Sequence, residues 1–174
     1  MRDKIFISVI IGMVIFFGGF IAIQEYILQA GDQVILATRP VDPRDLFRGE
    51  YVILRYAIED VEIVTRATAG KPEGTPVYLR LEAKDNRVHR VTAVRFDVPQ
   101  DDYVWLQGEV SGRSGIVRFP DLEQFYVPEG SGLDIEAFGT RLHVRVSVKD
   151  GESRVVELLD DELNPIDPSV YLDN

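Results

Sequence analysis

Residues 5–23 carry no charge. As a helix rising 1.5 Å per residue they would extend about 30 Å, the thickness of one hydrocarbon core. After Gly31-Asp32 the pattern changes to a period of two. Val34, Leu36 and Thr38 oppose Ile35, Ala37 and Arg39, as they would on the two faces of a strand. The same alternation predicts strands over 50–58, 77–83, 88–98, 103–110, 116–119, 141–148 and 153–159. In the first of these, Tyr51, Ile53 and Arg55 share one face, and Glu50, Val52, Leu54 and Tyr56 share the other. Turn residues punctuate the runs: Lys84-Asp85-Asn86, Ser111 to Gly115, and Asp150-Gly151, the last a type I′ signal. Residues 65–76, rich in Gly, Pro and Thr, read as a loop. One helix is expected after Pro120, with Asp121 as cap and Leu122, Phe125 and Tyr126 at helical spacing, ending before Pro128. The short run 134–138 is ambiguous. From Asp160 onward the chain reads as a loop or a loosely docked tail.

Short strands separated by turns, with no alternation of strand and helix, predict a mainly β fold. The expected architecture is a single N-terminal transmembrane helix followed by a compact antiparallel β-sandwich or barrel-like domain with one short helix. The boundaries are 1–30 for the anchor and its flanks, 31–160 for the all-β extracytoplasmic domain and 161–174 for the tail. Arg2 and Lys4 precede the apolar run, while Glu25 and Asp32 follow it. The positive-inside rule puts the N-terminus in the cytoplasm and the domain outside. A cleaved signal sequence is the alternative. The run exceeds the usual 7–15 residues of a signal core, and Leu28-Gln29-Ala30 only loosely imitates a cleavage site, so a retained anchor is expected.

The densest chemistry lies between Arg39 and Tyr56. Asp42-Pro43 begins a tight turn, since Pro presets φ and Asp can bond the backbone ahead of it. Arg48-Gly49 ends the irregular part. Arg39, Asp42, Arg44, Asp45, Arg48, Glu50 and Arg55 crowd the stretch. They can satisfy one another as a network with Tyr51 and Tyr56 beneath, or present a binding surface. Gly49-Glu50-Tyr51-Val52-Ile53-Leu54-Arg55-Tyr56 resembles the signature of the GDYXXLXY family of bacterial membrane-anchored proteins, with Glu in place of the signature Asp. Val41 to Arg48 is similar to that family's lead-in, and Tyr126-Val127-Pro128-Glu129-Gly130 is a second match downstream. The family carries no established activity. The resemblance implies an architecture over nearly the whole chain and a multi-pass membrane protein as partner. It would bring Glu129 into the same domain as the signature.

Charge and composition narrow the classes. A net charge of −10 argues against nucleic acid, whose phosphates call for a basic face. It also disfavours adsorption to anionic headgroups. The chain has no cysteine, which removes disulfides, thiolate nucleophiles and cysteine zinc sites. A serine–lysine peptidase is excluded because no serine lies between Ser8 and Ser111. His89 and His143, both on polar strand faces, complete no triad and no HxH or HExxH metal spacing. Asp101-Asp102, Asp150 with Glu152, and Asp160-Asp161-Glu162 lack the spacing of an EF-hand loop. No phosphate loop is present.

The sequence therefore predicts no cofactor, no metal site and no catalytic residue, and more readily a non-enzyme. The expected function is an anchored extracytoplasmic interaction module in the bacterial inner membrane, held in lipid through residues 5–23. Its candidate binding surface is Arg39, Asp42, Arg44, Asp45, Arg48, Glu50, Tyr51, Tyr56 and Glu129. The alternatives are an enzyme acting on an envelope polymer through Asp45, Glu50 and Glu129, and a small-ligand carrier or sensor.

Overall fold

The computed structural model describes residues 2–39, 51–84, 87–112, 115–126 and 142–166. It begins with one long helix, α1 (Arg2–Ala30), whose residues 5–23 are exposed along their length. Residues Ile5–Ala30 are long and apolar enough to cross a membrane.

The rest is mainly β. Strands β1 (Asp32–Ala37), β8 (His143–Lys149), β9 (Glu152–Leu159) and β10 (Pro165–Ile166) form one antiparallel sheet in the order β1-β8-β9-β10. Strands β3 (Pro76–Ala83), β4 (His89–Arg95), β5 (Trp105–Ser111) and β6 (Ile116–Arg118) form a second, in the order β4-β3-β5-β6. A two-stranded ribbon pairs β2 (Tyr51–Ile53) with β7 (Gln124–Tyr126). Alternation sets the faces. Val34 and Leu36 from β1, Val144, Val146 and Val148 from β8, and Val77, Leu79 and Leu81 from β3 all enter one core with Leu106 and Val117. The two sheets are stitched at both sides. The Ile35 N–H donates to His89 Nδ1 at 3.1 Å, and the Gln107 N–H donates to the Gly151 carbonyl at 3.1 Å. The mainly β fold with an N-terminal apolar helix is thus as the periodicity predicts.

Three local expectations change. Residues Glu62–Thr68 form a helix, α2, which runs into what the sequence presents as a loop over 65–76. Val64 and Thr68, one turn apart, are buried, and the Thr68 hydroxyl bonds the Val64 and Gly115 carbonyls at 2.8 and 2.5 Å. The helix expected after Pro120 is a single 3-10 turn, Pro120–Leu122, followed at once by β7. Leu122 is fully buried, and the next residues gain a ladder with β2 that a helix would forfeit. Finally, the segment after Asp160 returns to the sheet. Asp160 accepts the N–H groups of Glu162 and Asn164 at 2.9 and 2.8 Å, and the turn delivers β10 to the edge of β9 with Ile166 buried. The ambiguous run 134–138 lies outside the described residues.

Candidate functional site

The spacing of the motif residues puts Leu54 and Tyr56 inward, both buried, with Arg55 half-buried between them, and Ile58 is buried in the turn that follows. Tyr56 is fully enclosed. Its hydroxyl donates to the Leu122 carbonyl at 2.8 Å, and its ring meets Phe119 edge-on at 6.1 Å and 85°. Burial pushes its pKa well above the ordinary value, and the Glu59 and Glu123 carboxylates add to the rise.

Just past Tyr56 the chain turns, and the period of two ends. Glu59, 5 % exposed, folds its carboxylate back to accept the Tyr56 N–H at 2.9 Å. Burial raises the Glu59 pKa; the Tyr56 amide, Arg55 and Arg39 oppose that rise, and Glu123 adds to it. The next residue, Asp60, receives both arms of the Arg39 guanidinium, one at 2.5 Å. The Arg39 N–H also donates to the Arg55 carbonyl at 2.7 Å, and Thr38 bridges Tyr56. On the outer side, Glu123 Oε1 lies 3.1 Å from Arg55 and 3.4 Å from Arg118. The Leu54 N–H donates to the Glu123 carbonyl at 2.8 Å.

The two separated motifs meet. In the β2–β7 ribbon Tyr51 is opposite Tyr126, Val52 opposite Phe125 and Ile53 opposite Gln124. Of the nine candidate residues, Arg39 and Tyr56 are placed with their side chains, and Tyr51 is placed in β2. Asp42, Arg44, Asp45, Arg48, Glu50 and Glu129 lie outside the described residues. The structure adds Glu59, Asp60, Arg118 and Glu123. A signal for the first two exists: adjacent carboxylates between Ile58 and Val61 interrupt a strand. Nothing in the pattern says that Glu59 would turn inward. Arg118 and Glu123 sit in segments whose pairing no local pattern encodes.

A line of polar contacts leads from this cluster to the apolar helix. Glu123 follows the 3-10 turn, whose Asp121 is 3.5 Å from Arg154. Arg154 Nε donates to Gln24 Oε1, one residue before Glu25 brings the first charge after the apolar run. The C-terminal end of α1 is itself seated on the sheet: Ile27 is buried, and the Ser147 hydroxyl donates to its carbonyl at 2.6 Å.

Elsewhere, His89 and His143 border one groove of about 540 Å³ together with Ala37, Ile58, Ile63 and Val91. Burial lowers the His89 pKa, against backbone contacts with Ile35 and Arg87. His143 Nδ1 is 3.3 Å from the Asp160 carbonyl. Among the described residues no three His, Asp or Glu side chains converge with metal-binding geometry. The cluster around Tyr56 thus offers paired charges and one shielded carboxylate. No curated protein and no solved structure matches the chain. The sequence profile of the GDYXXLXY protein family matches residues 13–158, most of the length, and the chain belongs to that family.

Proposed function

We propose that this protein is a single-pass accessory subunit of the bacterial inner membrane. Its N-terminus is cytoplasmic, its β-domain is extracytoplasmic, and it docks against a multi-pass membrane protein through the motif side of the domain. The flanking charges support the orientation. The observation that carries the reading is the pair of contacts that ties Gln24 through Arg154 to Asp121, in the 3-10 turn from which the chain runs on to Glu123 and its partner Arg55. It keeps the motif strand close to the point where the apolar helix ends, within reach of the outer loops of a neighbouring membrane protein. Ion pairs here are half-exposed and contribute little to folding, typically about 0–1 kcal/mol each, which leaves their arginines and carboxylates available for recognition.

Co-purification of the full-length protein from native membranes in mild detergent, with mass spectrometry of the eluate, tests this. The double variant Arg39→Ala/Asp45→Ala, shown to be folded by its melting curve, is the comparison. The expected result is a stoichiometric multi-pass protein with the parent chain and its loss with the variant. Recovery of the parent chain alone would overturn the docking role.

A further inference from the structure

The anchor helix climbs the first sheet one strand at a time. Gln24 is bonded to Arg154 on β9, and Ile27 is bonded to Ser147 on β8. Arg154 and Ser147 are cross-strand partners in the same register. Gly31 then leads directly into β1, where Asp32 is opposite Val148. Three helical residues rise about 4.5 Å, and neighbouring strands are about 4.8 Å apart. The step along the helix is close to the step across the sheet, as expected of a helix axis that crosses the strands steeply.

This joint is close-packed. A Cβ on Gly31 would fall 2.2 Å from the Ser147 hydroxyl, 2.7 Å from the Ile27 carbonyl oxygen and 3.0 Å from that of Val148. The Gly31 N–H also donates to the Ile27 carbonyl at 3.2 Å. Helix and sheet are thus held in one relative orientation rather than joined by a free linker. If the helix crosses the bilayer, the strands of this sheet run roughly parallel to the membrane plane. Strand β1 is farthest from the lipid, and β9 and β10 are nearest.

We infer that the domain stands on its β9–β10 edge, and that this edge rests in the lipid headgroup layer. Continuing the climb downward by one strand puts β10 level with about residue 21 of the helix, still inside the uncharged run. Asp121, which touches Arg154, belongs to the level of β9, one strand above. Val156 fits such a surface. The ladder shifts between Arg145 and Val146, whose partners are Glu157 and Val155, so Val156 has no partner, and it is 39 % exposed. Asp160, Asp161 and Glu162 form the turn between β9 and β10, so the headgroups that suit this edge are zwitterionic rather than anionic. The inference rests on the proposed membrane anchor and is separable from it.

The chain has no cysteine, so single-cysteine variants report one place each. Full-length Pro165→Cys, Asp121→Cys, Gln33→Cys and Phe16→Cys would be labelled with a fluorophore in phosphatidylcholine nanodiscs. Quenching by lipids carrying a nitroxide near the headgroup is read for the first three, and by lipids with the nitroxide deep in the chain for Phe16. All four positions are exposed, and Pro165 and Asp121 are alternatives should one variant fold poorly. The expected result is strong deep quenching at Phe16, with headgroup quenching several-fold stronger at Pro165 or Asp121 than at Gln33. Deep quenching at Phe16 with equal or reversed headgroup quenching at the other positions would overturn the orientation while leaving the anchor intact. No deep quenching at Phe16 would overturn the anchor and the orientation together.

Discussion

The Tyr56 hydroxyl donates to the Leu122 carbonyl at 2.8 Å, joining residues 66 apart in the sequence. That bond fastens the motif strand to the 3-10 turn that precedes β7. It also satisfies two polar atoms inside a core from which water is excluded.

Replacing Tyr56 by Phe keeps the ring against Phe119 and strips the donor from the Leu122 carbonyl. The expected loss is about 1–3 kcal/mol, the cost of an orphaned buried acceptor. Truncation by Tyr56→Ala should cost about 3–5 kcal/mol through the cavity it leaves. Urea titration of the full-length protein in detergent measures both. An unchanged midpoint for the Phe variant would mean that the bond contributes nothing to stability.

Glu59 works against its own charge. Its folded pKa is raised, so the folded protein holds a proton more tightly than the unfolded chain does. Its contribution is therefore fully present below the unfolded pKa and is lost as pH rises toward the folded pKa. Glu59→Gln keeps an oxygen for the Tyr56 N–H and carries no charge. The variant should be at least as stable as the parent at neutral pH, and its melting temperature should fall less between mildly acid and neutral pH. A parent and variant with parallel pH profiles would contradict this.

Asp160 has the opposite sign. The N–H of Asn164, with help from the Asn164 side chain and the Glu162 N–H, holds its pKa below the ordinary value. Its stabilising effect is present above the unfolded pKa and disappears as pH falls through the folded one. Asp160→Ala should lower the melting temperature at neutral pH and converge with the parent at strongly acid pH. A deficit that persists unchanged in acid would assign the role of Asp160 to something other than its charge.

Gly31→Ala places a methyl group where the Ser147 hydroxyl and the Ile27 carbonyl already stand. The expected cost is about 1–3 kcal/mol, as for overpacking elsewhere in protein cores. Proteolysis at the junction of α1 and β1 should accelerate. Adding Ser147→Ala removes the nearest clash and leaves the carbonyl, so rescue should be partial. Full stability in the single variant would show that helix and sheet part easily.

Much of the fold is legible along the chain because it is locally encoded. The β8–β9 hairpin is the clearest case: Asp150 and Gly151 both take positive φ, 53° and 92°, the type I′ geometry that their residue types announce. The run of residues 5–23 is equally direct. What escapes local reading is decided by distant partners. Leu122, Phe125 and Tyr126 have helical spacing, yet β7 forms because β2 is there to pair with it. Thr65 and Thr68 weaken the helical signal of α2, and the helix forms where Thr68 finds the Gly115 carbonyl. In the candidate site, Arg39 and Tyr56 stand out in sequence as members of a charged, aromatic stretch. Their partners Asp60 and Glu59 become visible only once the chain has turned.

Among the described strands, the first pairs with the third from last. Asp32 to Ala37 are in register with Val148 to His143, and Thr38 bonds Leu142 across 104 residues. During synthesis β1 follows directly on the apolar helix and has no ladder partner until β8 emerges. At about 5–20 residues per second, that interval lasts about 5–20 seconds. Through it the N–H and C=O groups that will face β8 remain open to pairing with another chain. Biogenesis of this protein therefore has a built-in waiting period, which ends when the β8–β9 hairpin closes over the strand and over the end of the apolar helix.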